Sequence, residues 1–327
     1  MTKIAVLDDW QGKARELADW SALTARAEVT FFQKAFADVD DAAAKLAEFD
    51  ILLTMRERSA IPAALVDRLP NLKMLSITGA RAASIDIKAL QAKGVVVCNT
   101  GYDSGIVPPH AGSAATAEIA LGLMIAATRR IPQGDAEIRA GHFQENVPQG
   151  FVLAGKTLGL VGLGRIGGMM ARYGIALGME VLAWSQNLTA ERAKECGAML
   201  VSKEDLLTRA DVVSLHLVLS GRTRGIIGAA ELARMKQGAV LINTSRGPLV
   251  DEAALIGELR SGSLIAGIDV YDREPLPAHH PLRTAPNCVL TPHVGYVVRE
   301  VMADFYKQLI ENALAFMDGK SVRVMPT

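Results

Sequence analysis

This sequence has few cysteines and few aromatic residues, and it has no excess of charge of either sign. Its three cysteines, Cys98, Cys196 and Cys288, lie too far apart for a disulfide framework or a zinc cluster, so we expect reduced thiols and no metal site. The 35 basic and 35 acidic residues cancel, so no overall field attracts nucleic acid or an anionic membrane. The longest apolar run, residues 119–127, is far shorter than the ~20 residues of a membrane span. With no signal-peptide layout at the N-terminus, these absences predict a cytoplasmic protein with neither a nucleic-acid nor a membrane partner.

The chain is long enough for about two domains of ~150 residues each. Half of its residues are hydrophobic and 5% are aromatic, which is typical of a soluble α/β protein with a large core. No internal repeat of solenoid length and no low-complexity tract interrupts it.

A glycine-rich stretch, residues 156–167, is the strongest local signal. Its apolar start predicts a strand that turns at Gly162-x-Gly164-x-x-Gly167 into a helix near Arg165. Gly162 permits a tight turn, Gly164 lets the backbone approach a pyrophosphate, and Gly167 lets the helix pack on the strand. A chance cluster in a chain with 29 glycines is the alternative, but a second strand at residues 180–184 completes a βαβ unit. The stretch therefore predicts a dinucleotide site.

Short apolar or β-branched runs alternate with helical patterns through the N-terminal third, which predicts a parallel sheet covered by helices on both faces. The predicted strands are Lys3–Leu7, Glu28–Phe32, Asp50–Thr54, Leu72–Ile77 and Val95–Val97. Residues 99–112 are rich in Gly and Pro and predict a long loop at a domain boundary, followed by an alanine-rich helix over residues 113–130.

A second alternating series begins at Lys156 and predicts a doubly wound dinucleotide fold. Its predicted strands are Thr157–Val161, Glu180–Trp184, Ala198–Val201, Asp211–His216, Ala239–Asn243, Leu264–Val270 and Cys288–Leu290, and an amphipathic helix follows at residues 297–316. Ligands of this fold lie outside the carboxyl ends of the strands. The polar residues there are Ser185, His216, residues 243–246, residues 269–274 and His293.

Three of these strand-end residues are candidates for chemistry. Arg246 precedes Gly247-Pro248, a tight turn that would direct its side chain into the crevice, although most arginines are solvated surface charges. His293, between Pro292 and Gly295, is either a partly buried structural histidine or a general acid/base. Glu274 is either a solvated loop acid or the carboxylate that orients His293 and favours its protonated form.

The order of the motifs resembles a known family. They are the glycine turn, His216 with Leu219-Ser220 and Thr223, the run Asn243 to Asp251, the run Asp269 to Pro275, and Thr291-Pro292-His293. At these spacings the chain resembles the D-isomer-specific 2-hydroxyacid dehydrogenases over nearly its whole length. The resemblance implies a flavodoxin-like substrate domain (residues 1–98 plus 297–327) and a Rossmann NAD(P)-binding domain (residues 99–296).

The resemblance also implies roles for particular residues. Arg246 would hold the substrate's carboxylate and carbonyl oxygen, His293 would move the proton, and Glu274 would pair with His293. Asp269 would lie near the nicotinamide carboxamide. The implied cofactor-binding residues are Gly162, Gly164, Arg165, Ile166, Gly167, Ser185, Thr223, Thr244, Asp269, His293 and Gly295. The implied substrate-binding residues are Gly79, Ala80, Arg81 and Arg246, and the implied assembly is a homodimer.

These residue types suit reduction of a 2-keto acid to a 2-hydroxy acid. The cofactor supplies the hydride, His293 supplies the proton, and the planar fork of Arg246 matches a carboxylate better than a lysine would.

Three departures from the family pattern leave choices open. Ser185 replaces the acid expected after the second strand, so the cofactor is NAD or NADP. Arg81 stands where a backbone amide commonly meets the substrate and, with Arg56 and Arg58, favours a larger or doubly charged 2-keto acid. The connection at residues 99–117 is longer than usual, and we expect its Tyr102, Asp103 and His110 to cover the hinge rather than line the cleft.

Two other functions use the same fold. One is an NAD(H)-sensing binding protein of the corepressor type. The sequence has no basic cluster that would support such a role. The other is a formate dehydrogenase-like enzyme, which would need a small anion pocket that the sequence does not reveal.

Overall fold

The computed structural model describes residues 1–79, 84–101 and 110–326. The chain divides into two compact units, one formed by residues 1–112 and 297–327 and the other by residues 113–296. Residues 99–112, which the sequence assigned to the dinucleotide domain, group with the first unit.

Parallel strands and helices alternate along both units. The strands are β1 (Thr2–Val6), β2 (Ala27–Phe31), β3 (Ile51–Thr54), β4 (Met74–Ile77), β5 (Val96–Asn99), β6 (Thr157–Val161), β7 (Glu180–Trp184), β8 (Met199–Leu200), β9 (Val212–Leu215), β10 (Ala239–Asn243), β11 (Leu264–Ile268) and β12 (Cys288–Leu290). The helices are α1 (Ala14–Leu17), α2 (Ser21–Thr24), α3 (Val39–Leu46), α4 (Ala63–Val66), α5 (Ile87–Ala92), α6 (Ala111–Arg129), α7 (Ile131–Arg139), α8 (Arg165–Ala176), α9 (Ala190–Glu195), α10 (Lys203–Arg209), α11 (Ala229–Leu232), α12 (Glu252–Ser261) and α13 (Arg299–Met317). Short 3₁₀ turns occupy Arg56–Arg58, Gly247–Leu249 and Pro281–Thr284.

The first unit contains a five-stranded parallel sheet in the order β2-β1-β3-β4-β5. β3 and β4 are fully buried apolar strands, as expected where helices cover both faces. The last helix, α13, completes this unit, because its buried Asn312 donates hydrogen bonds to Ser76 Oγ of β4 (2.9 Å) and to the carbonyl of Asn99 (3.0 Å).

The second unit contains a seven-stranded parallel sheet in the order β12-β11-β10-β9-β6-β7-β8. The order reverses beside β6, and crevices that bind ligands form at such reversals. Gly159 lets α10 pack tightly on β6, since a Cβ there would lie 2.6 Å from a methyl carbon of Leu206. The expected pair of doubly wound α/β sheets, flavodoxin-like and Rossmann, is confirmed.

Helix α6 is, among the described residues, long and apolar enough to cross a membrane by length and composition alone. Several of its side chains, including Ala120, Leu123 and Met124, belong to the core of the second unit. That packing explains its apolar composition without a bilayer.

Helix α7 was not predicted, and several predicted strands are shorter than expected. No residue of α7 is buried, so this helix adds nothing to the core of its unit. The strand predicted at residues 198–201 shrinks to Met199–Leu200 at the sheet edge, where both residues are exposed.

Candidate functional site

At Gly162 and Gly167, the glycine turn between β6 and α8 has no room for a side chain. Gly162 has a φ of +103°, and a Cβ there would lie 2.5 Å from the carbonyl oxygen of His216. A Cβ at Gly167 would lie 2.2 Å from the carbonyl oxygen of Gly162. Both contacts are impossible for a side chain, so strand and helix meet this closely only because both residues are glycine.

The start of α8 fits an anionic group of a dinucleotide. Its N-cap, Gly164, supplies no side-chain hydrogen bond to the first turn, so the amide groups there lack a side-chain cap. A Cβ at Gly164 would meet no described atom within 4 Å, which leaves open space beside the turn. Amide donors and the helix dipole at such a terminus favour a pyrophosphate, and Arg165 and Ile166 begin this turn.

The end of β7 carries no carboxylate. Ser185 follows it and is half-buried. Arg192 of α9 reaches toward α8, with its guanidinium 4.0 Å from the position of a Cβ at Gly168, and it pairs with Glu195 at 3.0 Å.

Hydrogen bonds from side chains to the backbone hold the turn that carries Arg246. The side-chain amide of Asn243 donates to the carbonyl of Arg246 (2.9 Å), and the Ser245 hydroxyl donates to the carbonyl of Leu215 (2.7 Å). A Cβ at Gly247 would lie 2.1 Å from the backbone of Tyr271, so this glycine lets the two strand ends touch. The Arg246 guanidinium donates to the carbonyl of Ser245 at 2.6 Å.

Two threonines expected to bind the cofactor differ in their hydrogen bonding. The buried Thr244 hydroxyl has no partner among the described residues. Such an orphaned group suits a ligand atom. The Thr223 hydroxyl instead closes its own loop, since it donates to the carbonyl of Val218 (2.7 Å) and accepts from the amide of Ser220 (2.8 Å).

His293 and Glu274 are in direct contact. His293 Nδ1 lies 2.5 Å from Glu274 Oε2, and the other carboxylate oxygen accepts the Tyr271 amide at 2.9 Å. The ring of Tyr296 packs edge-on against the imidazole, with ring centroids 5.8 Å apart. His293 has a φ of +53°, in the left-handed region. The arrangement fixes one ring nitrogen on a carboxylate and leaves Nε2 as the nitrogen that could exchange a proton with a substrate.

Asp269 is fully buried behind this loop. Its carboxylate accepts from the Thr291 hydroxyl (2.6 Å), the Val294 amide (2.9 Å) and the Gly295 amide (3.0 Å). Burial raises the pKa of Asp269, although these hydrogen bonds and the charge of His293 oppose the shift.

The sequence placed His216 at a strand end but gave it no role; it lies just after β9, beside the glycine turn. Its Nε2 is 2.9 Å from Ser214 Oγ, and its buried Nδ1 has no partner in the described part of the chain. Burial lowers the pKa of His216 to about 4, so the imidazole is neutral at physiological pH. Its position after a strand was visible in the sequence, but its burial was not.

The first unit shows part of the expected substrate region. The Gly79 amide donates to Thr100 Oγ1 at 2.8 Å, so this donor is already used. The guanidinium of Arg56 lies over Gly79, 3.3 Å from the position of a Cβ there. Ala80 and Arg81 lie outside the described residues, as do Tyr102 and Asp103 of the long connection.

Arg58 is engaged by the loop after β1. Its guanidinium donates to the carbonyl of Asp8 at 2.6 Å and lies 4.9 Å from the ring centroid of Trp10. The Asp8 side chain accepts from the Ser59 hydroxyl at 2.6 Å, and burial raises its pKa to about 6.

A doubly wound sheet, a glycine turn that opens a helix, and a histidine–carboxylate pair at the strand ends together define the class of dinucleotide-binding α/β oxidoreductases. The family described as "D-isomer specific 2-hydroxyacid dehydrogenase, NAD binding domain" matches residues 121–295. The chain therefore belongs to the D-isomer specific 2-hydroxyacid dehydrogenases. These enzymes transfer a hydride between a nicotinamide cofactor and a 2-keto or 2-hydroxy acid.

Relatives agree with this placement. A glyoxylate reductase of Aeropyrum pernix is 36% identical over 286 residues, covering 83% of each chain. A D-3-phosphoglycerate dehydrogenase of Archaeoglobus fulgidus is 35% identical over 83% of this chain, which spans 50% of that longer relative. The crystal structure of a phosphoglycerate oxidoreductase from Vibrio cholerae O395 superimposes with a TM-score of 0.90 at 34% identity, covering 98% of this chain and 100% of that one.

Proposed function

We propose that the protein is an NAD(P)-dependent dehydrogenase that interconverts a 2-keto acid and a D-2-hydroxy acid, with His293 as its acid/base. The contact between His293 and Glu274 carries the proposal, because a carboxylate at Nδ1 fixes the orientation of the ring. In reduction, His293 Nε2 gives its proton to the carbonyl oxygen of the substrate. In oxidation, the neutral ring takes the hydroxyl proton.

Arg246 holds the substrate in this proposal. Its guanidinium fork binds the carboxylate and polarises the carbonyl oxygen on which negative charge develops. The hydrogen bonds from Asn243 and Ser245 fix the turn that carries it. When bound, the nicotinamide cofactor supplies or accepts the hydride. Gly162, Gly164 and the first turn of α8 would hold its pyrophosphate.

Substitution of the two proposed site residues tests the assignment. His293→Ala should lower kcat by about 10²- to 10⁴-fold and keep NADH affinity, because only the proton donor is lost. Arg246→Ala should lower kcat and also raise KM for the keto acid. The measurement is NADH absorbance with a panel of 2-keto acids, with His142→Ala as a control at an exposed histidine of the same unit.

Near-wild-type turnover in His293→Ala or Arg246→Ala would contradict the proposed roles. If wild-type protein binds NADH but turns over no 2-keto acid in the panel, a sensing protein replaces the dehydrogenase as the better assignment.

Both cofactors should serve. Ser185 offers no carboxylate to repel a 2′-phosphate, and Arg192 of the neighbouring helix is paired with Glu195. We expect kcat/KM for NADH and NADPH to agree within about tenfold, or about 1.4 kcal/mol. Ser185→Asp should favour NADH, and a ratio above a hundredfold in the wild type would contradict this expectation.

The substrate proposed is a larger or doubly charged 2-keto acid. Support comes from Arg81 in the sequence and from Arg56, whose guanidinium lies over Gly79. Arg58 is not part of the proposed substrate site, since its guanidinium bonds to the loop after β1. Arg81→Ala and Arg56→Ala should each reduce turnover of oxaloacetate or 2-ketoglutarate more than turnover of glyoxylate. Equal losses on all substrates would mean that the arginine serves only the shared carboxylate.

We propose a cytoplasmic homodimer. Ile131, Ile138, Phe143 and Val152 are exposed apolar side chains within one short segment of the second unit, which a second copy of the chain could bury. Phe143→Glu should shift the sedimentation coefficient toward that of a monomer, and unchanged sedimentation would place the contact elsewhere. Cell fractionation tests the location.

A further inference from the structure

The loop that carries His293, residues 291–295, is held by one buried side chain. Asp269 accepts hydrogen bonds from the Thr291 hydroxyl and from the amides of Val294 and Gly295, so it joins the residues on both sides of His293. His293 itself has a left-handed φ of +53°, which a side chain rarely adopts unless its surroundings impose it.

These bonds use most of the accepting capacity of Asp269. A carboxylate has about four lone-pair positions, and three are taken by this loop. Oδ1 accepts two of these bonds and Oδ2 accepts one, so one lone-pair position on Oδ2 remains for the nicotinamide contact that the resemblance implied.

We infer that Asp269 is a positioning residue, which fixes the 291–295 loop and thereby the location of His293 relative to Glu274. This inference rests on the proposed role of His293 as the acid/base. Asp269 bonds to the loop on both sides of His293, so it acts on the imidazole through these three hydrogen bonds.

The isosteric substitution Asp269→Asn keeps the volume of the side chain and changes its hydrogen bonding. It therefore separates the positioning role from a role in packing alone. In Asp269→Asn the amide NH₂ must face either the Gly295 amide or the Thr291 and Val294 donors, so at least one donor meets another donor. The loop then moves away from its present conformation. Misplacement of a catalytic group by about 1 Å can cost 10²-fold in rate.

The first experiment compares Asp269→Asn with the wild type. We expect kcat to fall by about 10²-fold, while the Kd of NADH, measured by fluorescence, changes less than about threefold.

A matched pair at Thr291 tests the hydrogen bond without changing charge. Thr291→Val removes the hydroxyl that donates to Asp269 and should lower kcat at least tenfold while the Kd of NADH stays near that of the wild type. Thr291→Ser keeps the hydroxyl and should restore kcat. This pair decides the question even if Asp269→Asn does not fold.

Other results would overturn the inference. Wild-type kcat in Asp269→Asn, or equal activity of Thr291→Val and Thr291→Ser, shows that the loop does not need this carboxylate. A loss in Asp269→Asn that appears only as weaker NADH binding makes Asp269 a cofactor contact instead.

The inference can fail separately from the proposed function. If the wild type reduces no 2-keto acid, ¹⁵N NMR of the His293 ring still reports its contact with Glu274. An unchanged ring spectrum in Asp269→Asn would then refute the positioning role, and a changed one would support it.

Discussion

Two buried ionisable side chains respond to acid in opposite senses. Burial lowers the pKa of His216 in the second unit to about 4 and raises the pKa of Asp8 in the first unit to about 6. Each shift makes the stability of its own unit depend on pH, because the folded and unfolded states bind different numbers of protons.

His216 should make the second unit sensitive to acid. The unfolded chain takes up a proton near pH 6.5, whereas the folded unit resists protonation down to about pH 4. The free energy of unfolding should therefore fall as the pH drops through this window, by up to about 3 kcal/mol. His216→Asn should flatten this dependence in urea titrations at several pH values, and His142→Asn, at an exposed histidine, should not. An equally steep dependence in His216→Asn would contradict the assignment.

Asp8 should destabilise the first unit at neutral pH. The folded protein keeps this proton up to about pH 6 and the unfolded chain loses it near pH 3.8. The contribution of Asp8 to the free energy of unfolding is therefore complete below pH 3.8 and is lost as the pH rises through 6. The total change is about 3 kcal/mol. Asp8→Asn should raise the free energy of unfolding at pH 7.5 and have little effect at pH 4.

Asp8→Ala is the matched control for Asp8→Asn. It removes the same charge but leaves the Ser59 and Met55 donors without their acceptor and places alanine at a φ of +66°, which asparagine tolerates better. Asp8→Ala should therefore destabilise the protein. Equal effects of the two variants would mean that charge burial is not the cause.

The contact between Glu274 and His293 was predicted from the sequence, because strand order brings the two residues together. Arg246, Glu274 and His293 could be proposed because each follows a strand of one parallel sheet, and the structure brings Glu274 to His293. The burial of His216 and Asp8 could not be predicted, since it depends on chain segments distant in sequence. The three bonds of Asp269 likewise require the conformation of a loop more than twenty residues away.

Among the elements, the turn from β6 to α8 allows folding and binding to be tested separately. Gly162→Ala and Gly167→Ala would place a Cβ 2.5 Å or less from a carbonyl oxygen, so both should lower the melting temperature. The Cβ added by Gly164→Ala would meet no described atom within 4 Å, so the melting temperature of this variant should stay near that of the wild type.

NADH binding completes this comparison. The methyl group of Gly164→Ala would stand where the backbone approaches the pyrophosphate, so the Kd of NADH should rise at least tenfold in a stable protein. Fluorescence titration and thermal melts measure the two effects. Unchanged affinity in Gly164→Ala would place the pyrophosphate elsewhere.

Strands with short apolar runs were predicted closely, and the exposed elements less so. The predicted bounds of β6, β7 and β10 agree with the structure, because short apolar runs between polar turns identify strands whose central residues are buried. Those of β12 agree as well, although its residues are only partly buried. Helix α7 has no buried residue and was not predicted, and β8, predicted at residues 198–201, is a strand only at two exposed residues. Residues 80–83 and 102–109, where predictions on Ala80, Arg81, Tyr102 and Asp103 fall, lie outside the described residues.

For the whole molecule, the division into units predicts which pieces of the chain can fold alone. The second unit is one continuous segment, residues 113–296, with its own core, its glycine turn and the His293–Glu274 pair. Expressed alone, it should unfold cooperatively and bind NADH. Residues 1–112 alone lack α13, so the hydrogen bonds of Asn312 to Ser76 and Asn99 cannot form.

Circular dichroism melts and NADH fluorescence on the two fragments check this expectation. We expect a cooperative melt for residues 113–296 and none for residues 1–112. Addition of a peptide that spans residues 297–326 should restore a melt to the latter. A cooperative melt of residues 1–112 without the peptide would contradict the dependence on α13.

The place of α13 in the first unit also bears on synthesis at the ribosome. The strands of the first sheet emerge first, yet the helix that packs on β4 is translated only after the whole of residues 113–296. At typical elongation rates of 5–20 residues per second, this delay is roughly 10 to 40 s. During that interval the nascent apolar strands β3 and β4 lack their final cover, so the first unit is the part of the chain that we expect trigger-factor-like holding chaperones to bind.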